Sequence, residues 1–159
     1  MFGSVREASS LRGFWSKFWH RMIRRPLIDS TRTILRPVYA GRAKPHDVAF
    51  VCSVFLLSGL VHVPMDMAIW AKTGAPSFPL FIFFCKTLVA ILLETMVVLQ
   101  YRSYRRRRGW SAPWIGTVER ALGYAWVFLF LCYATPPTCY LVLRALGSEN
   151  HPSLYWTIP

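Results

Sequence analysis

Acidic residues are scarce in this chain. Across 159 residues, 7 Asp and Glu stand against 19 Lys and Arg, for a formal charge of +12. An excess of that size points to an anionic counterpart, either a nucleic acid or an anionic membrane leaflet. A nucleic-acid binder would carry the charge without long apolar runs, and here 54% of residues are hydrophobic with a mean hydropathy of +0.33. Soluble domains lie nearer roughly 45–50% apolar, so the counterpart expected is a membrane. Paired cysteines are also missing. Cys52, Cys85, Cys132 and Cys139 all lie inside apolar runs, with no C-x-x-C pair and no His at ligand spacing. That excludes a disulfide framework and a zinc site and leaves four small buried hydrophobes, with no metal or bound cofactor expected. No glycine-rich phosphate loop, G-x-S-x-G elbow or H-E-x-x-H pair occurs, so nucleophilic Ser or Cys catalysis has no support. The N-terminus is basic without an apolar h-region. No cleavable signal peptide is expected, and the first spanning helix would be its own insertion signal.

Three stretches reach the roughly 20 apolar residues needed to cross a bilayer. They are residues 48–70, 78–100 and 121–143, the last with Pro136-Pro137 expected to kink or break it near one end. A tight turn is expected over residues 72–77, with Gly74 and Pro76. Ten cations, from Arg6 to Lys44, precede Val48, and six more (Arg102, Arg105, Arg106, Arg107, Arg108 and Arg120) lie between the second and third spans. By the positive-inside rule, residues 1–47 and an Arg-rich loop over 101–120 are cytosolic, and the tail 144–159 is not. Tyr101, Tyr104, Trp110 and Trp114 flank the basic loop as interfacial aromatics. Arg105–Arg108 reads as an anchor to anionic lipid headgroups, worth on the order of 1 kcal/mol per cation. The expected fold is an all-α integral membrane protein with about three transmembrane helices.

An amphipathic interfacial helix is expected ahead of them, over residues 9–25. Leu11, Phe14, Trp15, Phe18, Trp19, Met22 and Ile23 recur at three- and four-residue steps, with Arg12, Lys17, Arg21 and Arg24 on the remaining surface. Ser4-Val5-Arg6-Glu7 fits a capping box at its start, and Pro26 is expected to end it.

Ionisable groups inside a span are costly, a charge at the membrane centre by roughly 2.5–3.5 kcal/mol on insertion scales. The first span holds Ser58-Gly59-Leu60-Val61-His62-Val63-Pro64-Met65-Asp66. His62 and Asp66, four apart, share one helix face. A neutral imidazole is far cheaper than a charge, so His62 is a candidate general base, and Asp66 either orients it or is solvated. Pro64 cannot donate to the Leu60 carbonyl, which opens the helix beside His62. Ser58 and Gly59 form a narrow surface for another backbone or a ligand; the alternative is a packing histidine in a small-residue helix contact. Lys86 and Glu94 in the second span read as helix-end charges or an internal polar contact, or else as lining a polar cavity with His62. His46 and His151 read as solvated loop residues.

Two segments, taken together, resemble a known family. The run Ser9-Ser10-Leu11-Arg12-Gly13-Phe14-Trp15-Ser16-Lys17-Phe18-Trp19-His20 resembles the Phe-Trp…Trp-His signature of wax-synthase-like acyltransferases in the membrane-bound O-acyltransferase superfamily. About forty residues on, Ser58-Gly59-Leu60-Val61-His62 resembles that family's Ser-Gly-x-x-His. The resemblance covers roughly residues 4–100 and matches the C-terminal part of such an enzyme. It implies an endoplasmic-reticulum protein that moves an acetyl or fatty acyl group from acyl-CoA to a hydrophobic alcohol. Plant relatives make wax esters, and similar fungal proteins acetylate terpenoid-type secondary metabolites. It implies His62 as catalytic base and His20 as a hydrogen-bond partner of substrate or oxyanion. Family members have eight or more spans, so a partner chain or oligomer could complete the chamber. The rival expectations are a truncated, non-catalytic relative acting as a structural or partner subunit, and a small transporter built on Lys86, Glu94 and Asp66.

Overall fold

A computed structural model describes residues 2–19, 21–39, 47–74, 78–110, 112 and 114–147, and among these every regular element is helical. Ser4 opens only a single 3-10 turn, Val5–Glu7, by accepting the Arg6 amide at 3.3 Å. The helix proper starts later. In α1 (Leu11–Gly13) Ser10 Oγ accepts the Gly13 amide at 2.9 Å, so Ser10 takes the capping role expected of Ser4. The chain then widens into a π turn over Phe14–Phe18, closed by the Trp19 amide on the Phe14 carbonyl at 2.7 Å. Trp19 leaves helical geometry with φ −80° and ψ 130°. The short helices α2 (Arg21–Ile34) and α3 (Arg36–Tyr39) follow.

The single amphipathic helix expected over residues 9–25 is therefore interrupted at Trp19, and Pro26 lies inside α2. Backbone accounting explains both. The Gly3 amide donates to the Phe18 carbonyl at 2.8 Å, occupying an acceptor that a continuing helix would use. Pro26, near the start of α2, forfeits one backbone bond, to the Met22 carbonyl.

Three helices are long and apolar enough to cross a membrane. They are α4 (Val48–Thr73), α5 (Pro79–Arg108) and α6 (Ile115–Gly147). Gly74 stops α4 with φ 68°, and Gly109 stops α5 with φ 65°, a backbone region open to glycine at little cost. Residues 101–108, expected in a loop, are the last turns of α5, where four arginines complement the helix dipole. Pro136 and Pro137 do not end α6, which runs through them to Gly147. Apolar spanning helices tolerate such prolines where nearby polar groups and neighbouring helices meet the freed groups.

The N-terminal segment contributes to the core. Ala8 and, from the apolar stripe, Leu11 and Phe14 pack with Ala90 and Ile91 of α5 and Val127, Phe130 and Ala134 of α6. Two close contacts make this possible. The Ser9 carbonyl lies directly over Gly123, where any Cβ would collide with it, and Tyr124 Oη donates to the Val5 carbonyl at 3.1 Å. On the other side α2 meets α4, burying Thr31 and Phe50, with the Arg32 guanidinium 5.9 Å from the Phe50 ring centre. Outward faces stay apolar, including Leu60, Val61, Val97, Phe128 and Leu129. Cys132 and Cys139 lie on that exposed side of α6 rather than in the core, Cys52 and Cys85 are half-buried, and all four are free thiols.

Candidate active site

The geometry around His62 starts from Gly59. A Cβ there would sit 3.0 Å from the Phe81 ring and 3.4 Å from Phe84 Cβ, so the glycine lets α4 and α5 approach closely. What occupies the narrow Ser58-Gly59 surface is thus α5. One turn further along α4, the His62 ring stands edge-on to Phe84, with centroids 4.9 Å apart at 71°. The imidazole is half-buried and makes no hydrogen bond among the described residues.

Phe84 is shared. From the π turn, the Trp15 indole reaches between α4 and α5, with ring centres 6.3 Å from Phe84, 6.0 Å from Phe83 and 6.5 Å from Phe55. Its Nε1 is buried without a partner among the described residues. The aromatic segment of residues 9–20 and the Ser58-to-His62 segment therefore meet at one aromatic seam. His20 lies outside the described residues. The helix ends one residue before it, at Trp19, so the phase of the preceding stripe does not decide its direction.

The carboxyl groups go elsewhere. Asp66 is fully buried, and both of its oxygens face α5: Oδ1 accepts the Leu80 amide at 3.0 Å and Oδ2 the Phe81 amide at 2.9 Å. Leu80 and Phe81 follow Pro79 in the first turn, where helix amides have no intrahelical partner. Asp66 thus caps α5, and among the described residues no hydrogen bond or ion pair joins it to His62. Glu94 does the equivalent for α1. Its Oε2 accepts both the Leu11 amide and Trp126 Nε1, each at 2.8 Å, tying the N-terminal segment, α5 and α6 at one point. Glu94 is ten residues beyond Phe84, about 15 Å along the helix at 1.5 Å per residue. Lys86 Nζ lies 5.7 Å from the Tyr133 ring centre, a cation–π contact across α5 and α6. Each of these three groups thus has a partner of its own, and none of them bonds to His62 among the described residues. His46 and His151 lie outside the described residues, and the described residues gather no group of three His, Cys, Asp or Glu side chains that could hold a metal.

Trp126 and Gly123 had no place in the sequence-based site, and Trp15 entered it only as part of the aromatic segment that resembles the family. A weak signal existed for the tryptophans, since an indole N–H in an apolar helix needs a partner. The identity of that partner is tertiary.

The profile of the Membrane bound O-acyl transferase family matches residues 1–85, which contain both segments at the seam. The chain belongs to this family and, with its three apolar helices, is a membrane protein. Acetyltransferase nanB of Aspergillus nanangensis is 32% identical over 152 residues, covering 95% of this chain and 36% of the relative. Acetyltransferase pyr8 of Aspergillus fumigatus is 31% identical, over 99% of this chain and 35% of the relative. Acetyltransferase TRI7 of Fusarium sporotrichioides is 28% identical, over 100% and 36%. The chain spans about a third of the length of these curated relatives. No solved structure matches it.

Proposed function

We propose that this chain carries the base-bearing part of an acyltransferase chamber. The reaction moves an acetyl or fatty acyl group from acyl-CoA to the hydroxyl of a lipid alcohol or a terpenoid-type secondary metabolite. The observation that carries the reading is His62, an imidazole without a hydrogen-bond partner among the described residues. Gly59 seats it on Phe84, against which Trp15 also packs. The names of the relatives, all acetyltransferases, favour a short acyl group.

The chemistry needs no covalent acyl-enzyme. His62 accepts the hydroxyl proton as the alcohol oxygen attacks the thioester carbonyl. The tetrahedral intermediate collapses by breaking the C–S bond, and the imidazolium returns the proton to the departing CoA sulfur. Ester and free CoA result, with one proton taken up and one given back. His20 hydrogen-bonds the substrate or the developing oxyanion. Asp66 contributes by holding the α4–α5 pair on which His62 is mounted. The protein resides in the endoplasmic reticulum with its N-terminus and the arginines at the end of α5 on the cytosolic side.

A second reading draws on the fraction of its relatives that the chain spans and on the open side of His62. In it the chain is a non-catalytic relative that contributes a wall or a subunit contact to a partner. Acyl transfer from labelled acetyl-CoA and a long-chain acyl-CoA, in membranes holding this chain and a mixed alcohol panel, separates the two. Ester formation that falls at least about a hundredfold in His62→Ala, at equal protein level, is expected for the enzyme. No ester from either protein, with both stably inserted, supports the partner-dependent reading.

A further inference from the structure

At the end of the bundle where α5 stops and α6 begins, a cleft of about 540 Å³ opens between the N-terminal segment and α6. It is lined by Arg6, Thr117, Arg120, Ala121 and Tyr124. Its walls are tied together: Tyr124 Oη bonds the Val5 carbonyl, and the Ser9 carbonyl is seated on Gly123. The cleft is thus set by the packing of two elements and not by the rotamer of one side chain.

Its charge is uncompensated. Arg6 and Arg120 have no acidic partner among the described residues, although each is adjacent in sequence to a glutamate. Glu7 pairs with Lys17 at 3.6 Å, and Glu119 pairs with Arg105 at 2.7 Å. The Arg120 Nε donates to the Gly116 carbonyl at 3.2 Å, which anchors that side chain to its own helix. Arg6, Arg120, Thr117 and Tyr124 therefore border one opening, and the neighbouring carboxylates are drawn off to other cations. Guanidinium groups match phosphate oxygens in geometry as well as charge. The volume lies within the range of small-molecule sites, roughly 300–1,000 Å³.

We propose that Arg6 and Arg120 form a phosphate-recognition site, with Thr117 as a further hydrogen-bond donor and the Tyr124 ring as an apolar wall. The phosphate comes from one of two sources: the nucleotide end of a soluble donor, or the headgroup of a phospholipid. The first source rests on the acyl-CoA reading above; the second does not.

The test is binding, so it is independent of turnover. The full chain in neutral detergent is titrated calorimetrically with 3′,5′-ADP in one arm and with short-chain phosphatidylserine in the other. The expected result is saturable binding of at least one probe, weakened about tenfold by Arg6→Gln and by Arg120→Gln, a loss of one charge-assisted contact each. Binding should also weaken as salt rises. Arg144→Gln, near the opposite end of α6, should match the parent. Nucleotide binding identifies a soluble ligand and lipid binding alone identifies a headgroup; both uphold the site. Binding of neither probe, or equal binding by the parent and both cleft variants, overturns it. A chain that binds 3′,5′-ADP but forms no ester would retain the phosphate site and lose the acyltransferase reading.

Discussion

The first turn and the middle of α5 solve one problem in different ways. At its N-terminus a buried carboxyl from the neighbouring span, Asp66, meets the first free amides of α5 itself. Towards its C-terminal half the carboxyl belongs to α5, and Glu94 meets the first amide of α1 together with an indole from α6. In each case an acidic group in an apolar helix meets backbone donors left free at the start of another helix. The first contact joins two adjacent spans through a short connection. The second joins three elements distant in sequence. His62 lies between these two knots and is tied by neither, which is what the proposed role as a base would need. Polarity inside a span is therefore not by itself a sign of chemistry; partnership is what separates structural acids from an available base.

Breaking the first knot should have the largest effect on stability. Asp66→Ala strands two amides in apolar surroundings, and a loss of about 2–3 kcal/mol is expected. A thermal unfolding scan of the protein in detergent reads it. Asp66→Asn keeps one acceptor oxygen and should recover part of the loss; an Ala variant as stable as the parent would show that α5 needs no cap.

The second knot should fail more locally. Glu94→Ala should release the N-terminal segment from α5 and α6 at a cost of about 2 kcal/mol. Limited proteolysis should then cut before Val48 at a lower protease dose, with α4 to α6 left intact. Glu94→Gln retains an acceptor and should stay close to the parent. Uniform protection in both variants would mean that the apolar contacts of Leu11 and Phe14 hold the segment unaided.

Smaller changes sharpen the comparison. Gly59→Ala places a methyl group 3.0 Å from the Phe81 ring, and about 1–2 kcal/mol of overpacking is expected. Because His62 is mounted one turn away, the acyl transfer proposed above should fall further than stability does. Equal falls in the two would make Gly59 a packing residue only. Trp126→Phe removes one of two donors to Glu94 and keeps the ring's bulk, for about 1 kcal/mol.

Much of this was legible in the residues alone. The three spans and the basic flanks depend on apolar length and on where cations fall, which are local properties. The two short segments that mark the family are local as well, and so is the glycine between Ser58 and Leu60. The misreadings were also local in origin. Pro26 read as a stop, and Pro136-Pro137 as a kink or break, because a proline removes one helix bond, yet both helices run on past that loss. The stop at Trp19 came from a donor that sequence order does not reveal, the amide of Gly3.

The rest depended on distance along the chain. The carboxyl of Asp66 caps amides 14 and 15 residues away, and that of Glu94 takes one 83 residues away. Free amides at a helix start look alike whichever acid meets them, so residue types and spacing define the need for a partner and leave its identity open. Only the packing of α1, α5 and α6 selected Glu94, and only the approach of α5 to Gly59 put Phe84 between Trp15 and His62.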